Sequence, residues 1–185
     1  MIVAIILAGG TGTRFGSRIP KQFMSLNGKP TIQYVIDQIE ESKVIDRLVV
    51  VMDKRYENLI NKGYRVDPGK NRIESVRNGL NGAMVYKPKY VIFFDGNRPM
   101  TSAEHIRRIV KELKKGAKAV VTTNKITDSL GIVKKDDLTK QVNREEYRLI
   151  QTPEGFEWNT IWFAACALKM TPEGRAIADI VRSDV

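Results

Sequence analysis

The sequence predicts an α/β protein: a three-layer, Rossmann-like fold with a mostly parallel sheet, helices on both faces and a projecting β-arm. Three observations predict it. Short β-branched runs alternate with segments whose apolar residues fall at helical spacing, and parallel neighbours require such crossovers. The runs are apolar throughout rather than alternating, as strands covered on both faces are. After Thr123 the rhythm breaks in a stretch too polar to join the core.

Residues 2–7 open the chain as a buried strand and run into a glycine loop. Residues 31–40 carry apolar side chains at helical spacing, and 46–52 form a continuous β-branched run suited to a buried strand. Residues 55–61 fit a short helix, and 71–80 an amphipathic one. A third strand, 90–94, ends at Asp95-Gly-Asn-Arg-Pro99. The helix expected over 102–115 has Ser102 as its N-cap and Gly116 as its stop. A fourth strand spans 117–122. Residues 124–147, with the turn-like Lys134-Lys-Asp-Asp137, read as the arm, and 157–170 return to a helical pattern. With no repeat or linker, residues 1–185 read as one domain.

Thirty-one Lys and Arg against 21 Asp and Glu give a net charge of +10, which favours an anionic partner. The charge is dispersed and lacks aromatic interleaving, so a phosphorylated small molecule is expected rather than nucleic acid. The apolar start is too short to span a bilayer and lacks the basic region and cleavage site of a signal peptide, so no membrane association is expected. A single cysteine, Cys166, in an apolar setting fits a reducing, cytoplasmic location.

In open parallel sheets ligands bind beyond the carboxyl ends of the strands. Residues 9–16, Asp53 and residues 95–99 all fall there, which joins separate short motifs into one expected site. Glycines after a strand let backbone N–H groups approach phosphate oxygens. The common cradles do not match. A P-loop needs Lys-Ser/Thr after its last glycine, and here Thr13-Arg14 follows Gly12. Gly10-Thr-Gly12-Thr-Arg-Phe-Gly16 misses the dinucleotide spacing by one residue, and Pro20 breaks the helix that should follow.

The longer pattern, residues 7–16 followed by Pro20-Lys-Gln-Phe23, resembles the signature of sugar nucleotidyltransferases. Its Pro-Lys-Gln ending is similar to the branch acting on methylerythritol phosphate and ribitol phosphate, the cytidylyltransferases. Asn71-Arg-Ile-Glu-Ser-Val-Arg-Asn-Gly-Leu80, Asp95-Gly-Asn-Arg-Pro99, Thr127-Asp-Ser-Leu130 and Asn143-Arg144 with Gln151-Thr-Pro-Glu-Gly-Phe156 resemble further motifs of that branch, in its order.

The resemblance implies transfer of CMP from CTP to a polyol phosphate, most directly 2-C-methyl-D-erythritol 4-phosphate in isoprenoid biosynthesis, with release of pyrophosphate. It implies Arg14 and Lys21 as catalytic cations, and a nucleotide site from Leu7, Ala8, Gly9, Gly10, Thr11, Gly12 and Thr13 with Gly69, Arg72, Ser75 and Gly79. It also implies Mg²⁺ on Asp95, and a homodimer in which Ser129 and Arg144 of the arm hold the acceptor phosphate in the partner's site. Arg98 is expected to brace the Asp95 loop.

Some positions depart from the branch. Phe94 stands where its histidine is usual, Gly96-Asn97 replace two alanines, and Glu154-Gly155 alter the Gln-Thr-Pro-Gln ending. Its second metal carboxylate and C-terminal strand have no clear counterpart before Val185, and Asp179 is the nearest candidate for that carboxylate. Ribitol 5-phosphate, another sugar phosphate or a phosphonate remains open as acceptor. The alternative from a different class is a catalytically silent nucleotide-binding relative.

Overall fold

The computed structural model describes residues 1–12, 16–17 and 19–167. The described chain runs β1 (Ile2–Leu7), β2 (Ser25–Leu26), β3 (Lys29–Pro30), α1 (Thr31–Ser42), β4 (Arg47–Val51), β5 (Tyr64–Val66) and α2 (Arg72–Met84). It continues with β6 (Tyr90–Asp95), α3 (Ala103–Lys114), β7 (Ala119–Lys125), β8 (Leu130–Lys134), β9 (Asp137–Val142), β10 (Arg148–Glu157) and α4 (Trp158–Ala167). Short 3-10 segments cover Lys21–Phe23, Lys54–Leu59 and Arg144–Glu146.

Six strands form one sheet in the order β5-β4-β1-β6-β10-β7. β5, β4, β1 and β6 are mutually parallel, and β10 lies antiparallel to both of its neighbours. β1 shows why both faces must be covered. Alternate side chains of a strand point to opposite faces. Ile2, Ala4 and Ile6 accordingly join one buried cluster, with α1 and α3. Val3 and Ile5 join the other, with α2 and α4. Each fully buried aliphatic side chain of this kind contributes roughly 1.5–3 kcal/mol, so the central strands are fixed far more firmly than hydrogen bonding alone would fix them.

The helix ends follow their predicted chemistry. Ser102 Oγ accepts from the His105 N–H at 3.3 Å, and Gly116 takes a positive φ of 106° just beyond α3. Residues 55–61 make a 3-10 turn, Lys54–Leu59, rather than an α-helix.

The sequence does not predict the short β2, β3 and β5, nor β10. β10 occupies the region of Gln151-Thr-Pro-Glu-Gly-Phe156 and carries Pro153, which cannot donate to a ladder and is unusual in an interior strand. A register shift between Gln151 and Glu154 accommodates it, and Thr122 Oγ1 donates to the Pro153 carbonyl at 2.6 Å. The arm is the β8–β9 hairpin. Its turn residues Lys135 and Asp136 both have positive φ, 49° and 70°, as a tight two-residue hairpin requires. The arm's base is set by β7 and β10, which pair out to Lys125 and Arg148. No helix among the described residues is long and apolar enough to cross a membrane.

Candidate active site

The chain leaves β1 for β4 and β5 on one side, then crosses to β6 on the other, so the carboxyl end of β1 is where the strand order reverses. A cleft of about 610 Å³ lies there. Three loops build it: residues 7–11 after β1, residues 69–75 leading into α2, and residues 95–98 after β6.

Leu7 stands opposite Val51 on β4 and Asp95 on β6. Sheet bonding continues one step further, because the Ala8 N–H donates to the Val51 carbonyl at 2.8 Å and the Gly96 N–H to that of Leu7 at 3.0 Å. The loop then passes so close to Pro68 that a Cβ on Gly9 would lie 2.4 Å from the proline Cβ. Only glycine fits. Gln22, buried and 6% exposed, donates from Nε2 to the carbonyls of Ala8 and Gly10, both at 2.7 Å. The Pro20-Lys-Gln motif therefore closes back on the glycine loop, and Gly12 packs beside the backbone of Pro20 and Lys21.

The facing wall begins at Gly69, where a Cβ would lie 2.1 Å from that of Glu74. Asn71 caps α2, its side chain accepting from the Glu74 N–H at 2.9 Å, while the Glu74 carboxylate accepts from the Lys70 N–H at 2.8 Å. Ser75 Oγ accepts from the Gly69 N–H at 3.1 Å and donates to the Asn71 carbonyl at 2.9 Å. Asn71 thus holds the capping place, and the Ser75 hydroxyl secures the loop.

Asp95 is the hub between the walls. One carboxylate oxygen accepts from both terminal nitrogens of Arg72 at 3.1 Å, and the other accepts from Arg98 Nε at 3.1 Å. Arg98 also donates to the Gln151 side chain, and the Asp95 N–H donates to Thr152 Oγ1 at 3.3 Å. Arg98 braces the loop as its position led one to expect. Lys70, Arg72 and Arg98 line the cleft against the single carboxylate of Asp95, so it favours an anion.

No group of three or more His, Cys, Asp or Glu side chains that could hold a metal occurs among the described residues. Mg²⁺ nevertheless suits the donor set, since it is usually held by one or two carboxylates together with substrate phosphates and water. Asp95 would be its protein ligand. Asp179, like Arg14 and Thr13, lies outside the described residues.

Three expectations need correction. The Ala8 N–H cannot meet a phosphate, because Val51 already takes it. Gly79 does not line the cleft; a Cβ there would meet Ile5 at 2.6 Å and Val51 at 3.0 Å, so it lets α2 pack closely on the sheet. Asp53 is not part of the cleft either. Its side chain accepts from the Arg55 N–H at 2.8 Å, capping the following turn, and pairs with the Arg55 guanidinium. Those two bonds to Arg55, side chain first and backbone second, lower its pKa to about 2.

Among the predicted residues, Leu7, Ala8, Gly9, Gly10, Thr11, Gly69, Arg72, Ser75 and Asp95 come together in the cleft. Lys21 is exposed beside it, at the start of the turn whose next residue, Gln22, lines the cleft. Ser129 and Arg144 share a separate concavity on the arm. Gln22, which also lines the cleft, has no role in the sequence reading although it stands inside the diagnostic motif, and Lys70 and Asn71 figure there only as members of the loop 69–72 expected to face the base.

A mostly parallel sheet with a glycine loop, a carboxylate and converging cations at its switch point suits a protein that binds a phosphorylated ligand. The profile of the family IspD, 2-C-methyl-D-erythritol 4-phosphate cytidylyltransferase, matches residues 2–182, and the chain belongs to that family. The 2-C-methyl-D-erythritol 4-phosphate cytidylyltransferase of Neorickettsia sennetsu is 30% identical, over 96% of this chain and 81% of its own length. That of Clostridium beijerinckii is 36% identical, over 88% of this chain and 75% of its own length. In fold, the chain is similar to the 4-diphosphocytidyl-2C-methyl-D-erythritol synthase of Anaerococcus prevotii, with a TM-score of 0.82 at 24% identity, covering 98% of this chain and 83% of that one. The corresponding cytidylyltransferase of Thermus thermophilus gives a TM-score of 0.77 at 23% identity, covering 99% and 84%.

Proposed function

We propose that this chain transfers CMP from CTP to 2-C-methyl-D-erythritol 4-phosphate, a step of isoprenoid biosynthesis. One observation carries the reading: in a member of this family, the glycine loop, the Arg72–Asp95 pair and the Pro20-Lys-Gln turn meet at one cleft. A phosphomonoester oxygen of the acceptor attacks the α-phosphorus of CTP. A new P–O bond forms, the bond from the α-phosphorus to the bridging oxygen breaks, and pyrophosphate leaves with the electron pair.

Both reactants are anionic, so catalysis consists of holding them together and offsetting charge. The loop beyond Ala8 receives the phosphates on its N–H groups. Lys21 and Arg14 offset the charge developing on the α-phosphate and the bridging oxygen. Lys70, Arg72 and Arg98 draw the triphosphate into the cleft. Asp95 would hold Mg²⁺, which would supply Lewis-acid stabilisation of the phosphate oxygens. The backbone of residues 69–72 faces the base, with Ser75 keeping that loop in shape.

The arm extends the proposal to a homodimer working in the cytoplasm. Ser129 and Arg144, brought together on the arm, suit the acceptor phosphate in a second copy's cleft. The test is a matrix of nucleoside triphosphates against acceptors, read as pyrophosphate release with Mg²⁺. CTP with 2-C-methyl-D-erythritol 4-phosphate should give the highest kcat/KM. Preference for GTP or TTP, or for ribitol 5-phosphate, would overturn the base or the acceptor assignment respectively.

A further inference from the structure

Among the described residues that line the cleft, Gln22 carries the one buried amide side chain. It is 6% exposed, and its Nε2 meets two carbonyl oxygens of the same loop, Ala8 and Gly10, at 2.7 Å each. Only the NH₂ end of an amide can donate to carbonyls, so these contacts fix which way the group points. Among the described residues, the N–H groups of Gly9, Gly10 and Thr11 meet no acceptor, although all three residues line the cleft. The loop thus has its acceptors drawn to one partner and its donors left over for another.

A glycine-rich loop left to itself can turn either edge of its peptides toward a ligand. A carbonyl facing a triphosphate would repel it, and an N–H would bind it. We propose that Gln22 is a positioning residue for nucleotide binding: by drawing the Ala8 and Gly10 carbonyls onto one amide, it holds the loop with its N–H groups toward the polyphosphate. This rests on reading the cleft as a CTP site. It adds that the motif's glutamine orients the cradle while the neighbouring lysine acts on the phosphates directly.

The experiment compares wild type with Gln22→Met, which fills similar space without a donor, by calorimetric titration of CTP and of inorganic tripolyphosphate, with steady-state kinetics alongside. The loss of two hydrogen bonds should weaken binding of both ligands by about tenfold to a hundredfold. The KM for CTP should rise in step, and the KM for the acceptor should not change. A role confined to folding would instead lower the melting temperature and leave both KM values intact; that result, or unchanged tripolyphosphate affinity, overturns the proposal. If Gln22→Met does not fold, Gln22→Asn, whose amide is one methylene too short for both carbonyls, carries the same comparison. Tripolyphosphate keeps the two readings apart. Wild type that binds it but ignores CTP refutes the CTP assignment, and the effect of the variant on tripolyphosphate still decides the role of Gln22.

Discussion

β4 and β6 flank β1, run parallel to it, and each is associated with an aspartate at its carboxyl end, yet the two carboxylates do different work. Asp53 follows β4 and is occupied by its own neighbour, Arg55, through the backbone N–H and the guanidinium. Asp95 ends β6 and is met by Arg72 from another segment, with Arg98 on its second oxygen. The first arrangement closes a turn. The second ties two walls of the cleft together and sets a carboxylate among the cationic side chains that line it. A place at the ligand edge of the sheet therefore does not suffice for a role in the site; what decides is which partners reach the carboxylate.

Two substitutions and one pH dependence test the difference between the two aspartates. Asp95→Asn should lower kcat/KM by a hundredfold or more, on the order expected when a group placing metal and transition-state charge is lost. The melting temperature should fall little, because the apolar residues of β6 remain buried. Retained turnover would remove Asp95 from the chemistry. Asp53→Asn should leave turnover unchanged and reduce thermal stability slightly, since the pair it breaks is exposed and solvent-screened. A loss of activity there would make Asp53 a site residue after all.

The smallest effect concerns pH. The Asp53 pKa falls from 3.8 to about 2 on folding, so its stabilisation is present above pH 4 and fades as pH falls toward 2. The stability difference between wild type and Asp53→Asn should narrow over that window. A difference that persists unchanged below it would show that the pair does not titrate as described.

Much of this was legible in the sequence because it is local. β1, β4 and β6 are continuous apolar runs, and α1, α2 and α3 repeat apolar residues at helical spacing. The glycine loop announced itself by composition, and Asp95 by following an apolar strand. What was not legible depends on distant partners. β10 carries a proline and is defined by pairing with β6 and β7, so no local period marks it. Gln22 gains its meaning from carbonyls 12 and 14 residues away. Gly79 looked like part of a binding motif, but the side chains of Ile5 and Val51 explain it. Asp53 and Asp95 look alike in one dimension, and only the arrival of Arg72 across 23 residues separates them.

The arm makes the same point from the other side. Its turn and strands follow from local chemistry, yet β8 and β9 bury almost nothing of their own, so the chain alone gives the hairpin no core. That is the pattern expected of an element that works against a second surface, in keeping with the proposed dimer.

The turn beginning at Lys21, closed onto the glycine loop by Gln22, is the proposed nucleotidyl-transfer site. The most direct measurement is pyrophosphate release from CTP and 2-C-methyl-D-erythritol 4-phosphate by wild type and by Lys21→Ala, with the two proteins matched for melting temperature. Wild type should turn over and the variant should not, with the fold retained. Near-normal turnover by Lys21→Ala would contradict that assignment.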